Sequence, residues 1–266
     1  MVYAKRSLSQ NFLVDHNIRR KLVDELAIEP GDSVLEVGPG HGELSDLLTE
    51  SASRLVLVEK DDRLAADLAL RYADRDHVTV VHADALEADL ESLLGGDRAT
   101  RLISNLPYAI TSPLVFRFLD IRPFPRRLVL LVQKEVADRI AADAGTRAYG
   151  ALSVGVQSRA VPRVAFRVGR NAFRPVPAVD SAAVVLEPAG LELTEPEHAA
   201  LRELTRAAFS RRRKQVVTVL RTAPEYALSR EAAEIVLREQ GIPGRARPET
   251  LTPAQYIGLS RALSRG

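Results

Sequence analysis

Short runs of β-branched residues and leucine recur through the first two thirds of the chain, and stretches with apolar residues every three or four positions separate them. A run of four to eight apolar residues reads as a buried strand, and the three-to-four spacing reads as a helix with one apolar face. The pattern predicts strands at Ser33–Val37, Arg54–Glu59, Val78–His82, Arg101–Ser104, Leu128–Gln133, Leu152–Val161 and Ala182–Leu186. It predicts helices at Ile18–Ala27, Leu64–Tyr72 and Glu135–Ala142. Strands alternating with helices imply βαβ units, hence an α/β fold with a mostly parallel, doubly wound sheet.

Beyond Leu186 the alternation stops. Glu187-Pro188-Ala189-Gly190 reads as a linker, and helical patterns follow at His198–Phe209, Glu231–Gln240 and Ala254–Leu263. The expected division is therefore an α/β domain over 1–186 and a small all-helical domain over 187–266. Charge follows the same division. The formal net charge is only +2, yet the tail holds 13 Arg plus Lys against 10 Glu, while the first part holds 24 against 25 acids. A basic tail points weakly to a polyanionic partner. Cysteine is absent, which excludes disulfides, Cys-ligated zinc, iron–sulfur clusters and a thiol nucleophile, and no metal is expected. Neither Met1–Gln10 nor any later stretch has the apolar run of a signal peptide or membrane span, so a cytoplasmic protein with no membrane partner is expected.

Candidate chemistry begins at the first strand. Val37-Gly38-Pro39-Gly40-His41-Gly42 sets a glycine-rich turn between that strand and the next helix. Glycine lets backbone turn sharply and approach a ligand without a Cβ, and a helix N-terminus offers free N–H groups. A tight turn with no ligand would look the same. Two acids sharpen the picture. Glu59 ends the second strand 21 residues beyond Gly38, where a carboxylate can accept from both ribose hydroxyls, and Asp84 follows the third strand, where it can accept from an adenine amine. Either acid alone reads equally as a helix cap or a solvated strand end. Together, at successive strand ends, they favour an adenosine-containing cofactor. The loop departs from the G-x-G-x-x-G dinucleotide fingerprint, and Glu36 precedes Gly38 by two. In this it resembles the first motif of Rossmann-like methyltransferases.

Asn105-Leu106-Pro107-Tyr108 follows the fourth strand. The lone pair of an adenine amine is delocalised into the ring, which makes the nitrogen a poor nucleophile. If the Asn105 side-chain oxygen and the Leu106 carbonyl each accept one amine hydrogen, the nitrogen becomes more pyramidal and its lone pair can be aimed. Pro107 stiffens the turn, and Tyr108 can stack on a base. A plain turn after a strand remains the alternative.

These segments, with Ser9-Gln10-Asn11-Phe12-Leu13, Gln133-Lys134-Glu135-Val136-Ala137 and Tyr149-Gly150-Ala151-Leu152-Ser153, resemble the ribosomal RNA adenine dimethyltransferase family. So do Phe173-Arg174-Pro175-Val176-Pro177, Val179-Asp180-Ser181, Phe209 to Lys214 and Arg247-Pro248-Glu249-Thr250-Leu251. The blocks run in order over nearly the whole chain. The resemblance implies a Rossmann-like methyltransferase sheet with a helical C-terminal domain, and S-adenosyl-L-methionine as cofactor. It implies dimethylation of N6 on two adjacent adenosines near the 3′ end of small-subunit rRNA, with the RNA met in a small ribosomal subunit or its precursor. Asn11, Leu13, Gly38, Gly40, Glu59, Asp84 and Asn105 would bind the cofactor, and Phe173 would cover the target base opposite Tyr108. From the residues alone, Phe173 reads equally as a core aromatic and Asn11 as a helix cap. Ser9 is similar to the related branch that methylates large-subunit rRNA and confers macrolide resistance, and Ala109 departs from a polar residue common after this motif. Leu106, the Gln133–Ala137 block and the Arg247–Leu251 ending resemble the small-subunit branch.

Arg211-Arg212-Arg213-Lys214, with Arg206 and Arg221 at approximate helical spacing, is the densest basic run, and Arg19, Arg20 and Lys21 form another. Four consecutive cations on a helix splay around it and read either as a solvated face or as a phosphate contact. Arg206, Arg211, Arg212, Arg213 and Lys214 are the candidate RNA-binding residues. Two other readings stay open: methylation of other nucleic acid, and a non-catalytic ribosome-assembly or transcription factor on the same fold.

Overall fold

In a computed structural model of the chain, residues 11–94, 100–190 and 193–264 are described. Residues 1–10, with Ser9 and Gln10 of the first motif, lie outside them. The first strands follow the apolar runs: β1 (Phe12–Leu13), β2 (Ser33–Val37), β3 (Arg54–Glu59), β4 (Val78–His82), β5 (Thr100–Asn105) and β6 (Arg127–Gln133). Five helices alternate with them: α1 (His16–Leu26), α2 (Ser45–Leu48), α3 (Asp62–Arg71), α4 (Leu90–Leu94) and α5 (Thr111–Leu119). Asp15 starts α1 by accepting the Asn17 and Ile18 N–H groups, and Asp61 starts α3 by accepting that of Arg63.

After β6 come α6 (Lys134–Ile140), α7 (Ala151–Gln157), β7 (Ala160–Val168), β8 (Phe173–Arg174) and β9 (Ser181–Pro188). The main sheet has the order β4-β3-β2-β5-β6-β9-β7. β2 to β6 run parallel, and β9 lies antiparallel on β6 with Leu128 opposite Leu186 and Gln133 opposite Ser181. All five residues of β2 are buried, which is why the inner strands read as continuous apolar runs rather than alternating ones. The chain builds outward from β2 through β3 and β4, then returns to β5 on its other side. This reversal opens a crevice at the carboxyl ends of β2 and β5, where open α/β sheets bind ligands. The Ser104 hydroxyl donates to the Val37 carbonyl (2.6 Å) and stitches the two strands at the crevice floor.

The strand expected over Leu152–Val161 is replaced by helix α7, and β7 begins only at Ala160. Leu152, Ser153, Val154 and Val156 are all buried, so no exposed face marks the helical period. The helix is set by polar bonds instead. The Ser153 hydroxyl accepts the Gly150 N–H, and Gln157 Nε2 donates to the Ile140 and Ala142 carbonyls.

The chain passes between two compact units at 137/138, 161/162 and 188/189. The last crossing lies beside the linker read from the sequence, and the first two have no counterpart in that division. The second unit contains α8 (Glu195–Ser210), α9 (Val216–Thr222), α10 (Arg230–Glu239) and α11 (Pro253–Leu263). Thr194 with Glu197 and Thr252 with Gln255 form reciprocal caps at the starts of α8 and α11. Tyr149 and Tyr256 are buried in its core, their hydroxyls donating to the Leu251 and Pro248 carbonyls, with the Phe209 ring against both.

Candidate active site

The crevice widens into a cavity of about 210 Å³, and most of the residues singled out from sequence line it: Asn11, Leu13, Gly38, Gly40, Glu59, Asp84 and the Asn105–Tyr108 segment. Gly38 and Gly40 have φ of +72° and +62°, a region open to glycine at little cost. The Gly38 N–H donates to the Val58 carbonyl (2.9 Å) and the Gly40 N–H to Glu59 Oε2 (3.1 Å), so the loop is bound to the end of β3. A Cβ on Gly40 would sit 3.1 Å from the Phe12 ring, which also packs on His41 at 4.4 Å between centroids. Phe12 and Leu13 are held in place by antiparallel pairing of β1 with β8.

Glu59 is 5% exposed, and its other oxygen accepts the Asp61 N–H (2.8 Å). A carboxylate has about four lone-pair sites, so acceptor capacity remains beyond these N–H bonds. Asp84 both caps and faces the cavity: Oδ1 accepts the Leu86 N–H (3.0 Å), and Oδ2 takes the Lys60 ammonium at 2.5 Å. The Lys60 bond holds the Asp84 carboxyl below its ordinary range, with the Leu86 N–H adding to it.

Asn105 Nδ2 donates to the Asn11 carbonyl (3.0 Å). A carbonyl can only accept, so this bond fixes which end of the amide is which and leaves Oδ1 as the acceptor. Among the described residues no protein donor meets the Leu106 carbonyl, while the Leu106 N–H is tied to Leu131 (3.0 Å). The Pro107 carbonyl accepts from Thr111 Oγ1 (3.0 Å), fixing the turn into α5. Half-buried Tyr108 is anchored by its hydroxyl to Ser181 Oγ (2.7 Å) on β9, and burial pushes its phenol up. Ser181 is a positioning contact that the sequence shows only as part of a motif.

Among the described residues, four carboxyl groups and one cation line the cavity: Glu36, Glu43, Glu59 and Asp84, with Lys60. Burial raises Glu36 to about 8, opposed by the Ser45 hydroxyl (2.6 Å) and reinforced by Glu43, Glu59 and Asp46. Burial likewise raises Glu43, and it raises Glu59 against the Asp61 and Gly40 N–H bonds. Part of the Glu36 shift is repulsion from its acidic neighbours, which a ligand carrying positive charge relieves and a pyrophosphate would worsen.

Phe173 is not brought to the cavity. It is 0% exposed, in a hydrophobic core cluster and opposite Leu13 in the β1–β8 pair, so its ring packs as a core aromatic here. The basic run corrects a second expectation. Arg211 to Lys214 form the turn after α8 rather than part of a helix. Arg206, Arg213 and Lys214 are exposed. Arg211 Nη1 donates to Ser210 Oγ (3.2 Å), and Arg212 Nη2 donates to the Thr146 carbonyl (3.1 Å). Arg19 Nε donates to the Leu13 carbonyl (2.8 Å), whereas Arg20 and Lys21 are exposed.

The family model described as ribosomal RNA adenine dimethylase matches residues 1–264. Ribosomal RNA small subunit methyltransferase A of Geobacter metallireducens is 42% identical over 98% of this chain and 96% of its own length. The protein of the same name from Geobacillus thermodenitrificans is 38% identical over 97% and 90%. Among solved structures, a dimethyladenosine transferase from Plasmodium falciparum superposes with a TM-score of 0.79 at 25% identity, covering 93% of this chain and 95% of that one. The 23S rRNA methyltransferase ErmE does so with a TM-score of 0.70 at 26% identity, covering 96% and 100%.

Proposed function

The chain belongs to the ribosomal RNA adenine dimethylase family, and on that premise we propose that it dimethylates N6 of two adjacent adenosines near the 3′ end of small-subunit rRNA. The RNA is met in a small subunit or its precursor, in the cytoplasm. The Geobacter and Geobacillus relatives are both named as small-subunit methyltransferases. The observation that carries the chemistry is one cavity holding an adenosine-type acceptor set and the Asn105–Tyr108 turn together.

When bound, S-adenosylmethionine supplies an electrophilic methyl on a cationic sulfonium. The residues present fit it. Glu59 offers acceptors to ribose hydroxyls, Asp84 offers one to the adenine amine, and the acidic lining suits the positive charge. Asn105 Oδ1 and the Leu106 carbonyl then accept the hydrogens of the target amine and aim its lone pair, while the Tyr108 ring, pinned by Ser181, supports the base. The amine lone pair forms the new N–C bond as the S–C bond breaks, and the surplus proton leaves the nitrogen for solvent. A duplex would hide the amine, so the target base is read from a loop or in an extruded state.

Incubation with tritiated cofactor and immature small subunits, mature large subunits or naked RNA tests the substrate. Label on adenine N6 in small-subunit particles is expected, and label confined to large subunits would move the protein to the macrolide-resistance type. Asn105→Ala should slow single-turnover transfer on the order of a hundredfold, with cofactor affinity measured separately. An unchanged rate would defeat the mechanism.

A further inference from the structure

Among the described residues that line the cavity, Lys60 is the only cation. It follows Glu59 directly at the end of β3, and its carbonyl lies 3.3 Å from His82 Nε2 at the end of neighbouring β4. Two residues past His82, Asp84 turns back so that Oδ2 meets the Lys60 ammonium. The Lys60 side chain is 54% exposed and that of Asp84 19%. An ion pair this open adds little to stability, so folding alone gives weak reason for a lysine at the wall of an otherwise acidic cavity.

The chemistry of the pair matches an adenine edge. A carboxylate only accepts and an ammonium only donates. After their mutual bond the ammonium keeps two N–H donors, and Asp84 keeps acceptor capacity beyond its Lys60 and Leu86 bonds. Adenine presents a donor amine flanked by acceptor ring nitrogens, the complementary pattern. The four-carbon stem of lysine can also cover an apolar ring while its head stays wet. We propose that Lys60 is a positioning and specificity residue for the adenine of the cofactor, holding Asp84 toward the N6 amine and donating to the adjacent ring nitrogen. This rests on the reading of the cavity as an S-adenosylmethionine site.

The charged and titratable groups around Asp84 are Lys60 from β3, His82 at the end of β4, and Glu87 in its own turn, whose charge acts on Lys60. Since the Lys60 bond is the foremost cause of the low Asp84 pKa, removing the ammonium should let that carboxyl protonate at higher pH. Calorimetric binding of S-adenosylhomocysteine to wild type, Lys60→Met and Lys60→Arg across pH provides the test, together with carboxyl-detected NMR titration of Asp84 in the free protein. Lys60→Met keeps the stem and removes the charge. It should weaken binding about tenfold, the effect of losing a charged hydrogen bond, raise the pH below which binding fades, and raise the titration of Asp84. Lys60→Arg should restore most of each. Wild-type affinity in Lys60→Met overturns the proposal and leaves the cofactor reading standing. Absence of binding to wild type overturns both. Lost RNA affinity with cofactor binding intact would assign Lys60 to RNA and also overturn it.

Discussion

Glu36 is the residue with the most perturbed chemistry in the cavity, 1% exposed and raised by burial from 4.5 to about 8. A carboxyl whose folded pKa lies above its unfolded value binds more protons folded than unfolded between those two pH values, so stability falls as pH rises across that window. Glu36→Gln keeps the volume and the partner for Ser45 but cannot ionise. Its stability relative to wild type should therefore rise between about pH 4.5 and 8 and level off above. Urea melts at pH 4, 7 and 9 read this directly, and a gap independent of pH would remove Glu36 as its source. Glu59, Asp84 and Asn105 were legible from sequence because each sits at a strand end, a position that periodicity fixes without knowing any contact. The charge state of Glu36 was not, because burial from every side is a property of the assembled sheet. The burial of Phe173 was hidden for the same reason: a motif names a residue type, and only packing places its ring.

At the level of elements, the glycine loop is held from two sides. Phe12 from β1 lies against Gly40 and His41, while from α3 and just beyond it Arg71 donates to the His41 carbonyl (2.8 Å) and the Tyr72 hydroxyl to Asp46 (2.8 Å). Gly40→Ala would add a Cβ 3.1 Å from the Phe12 ring at a φ of +62°, and the left-handed conformation alone costs about 1–2 kcal/mol for a residue with a side chain. Lower thermal stability and weaker cofactor binding are expected. Phe12→Ala in the same chain should recover part of the steric loss, so the double variant should be less impaired than the sum of the two. Strict additivity would show that Phe12 does not press on the loop. Most elements were visible in the apolar pattern, since the inner strands alternate with helices of opposite period. Two of the helices that were missed share a physical cause. α7 is buried on several faces and α9 begins Val-Val-Thr-Val, so neither shows the polar stripe that distinguishes a helix from a strand. The antiparallel seat of β9 is invisible in sequence because direction within a sheet leaves no periodic trace.

For the molecule as a whole, charge is divided as the chain is. The tail beyond residue 186 carries the excess of Arg and Lys, and phosphate neutralisation by such residues releases counterions, which makes binding depend on salt. Not every cation in the basic run is free to take part. Arg212 is engaged with the Thr146 carbonyl and lies 4.0 Å from Glu249, holding two segments of the helical unit together, whereas Arg213 and Lys214 are exposed at the turn after α8. Arg213→Gln with Lys214→Gln should therefore weaken RNA binding across unrelated sequences and reduce the slope of log affinity against log salt by up to about 0.7–0.9 per charge. Cofactor affinity should stay at the wild-type value. Arg212→Gln should instead lower thermal stability, with any loss of RNA binding following from that. If the double variant keeps the wild-type salt slope, the turn is a solvated surface, and the RNA contact must be sought on other cations such as Arg206, Arg20 and Lys21, all of which are exposed.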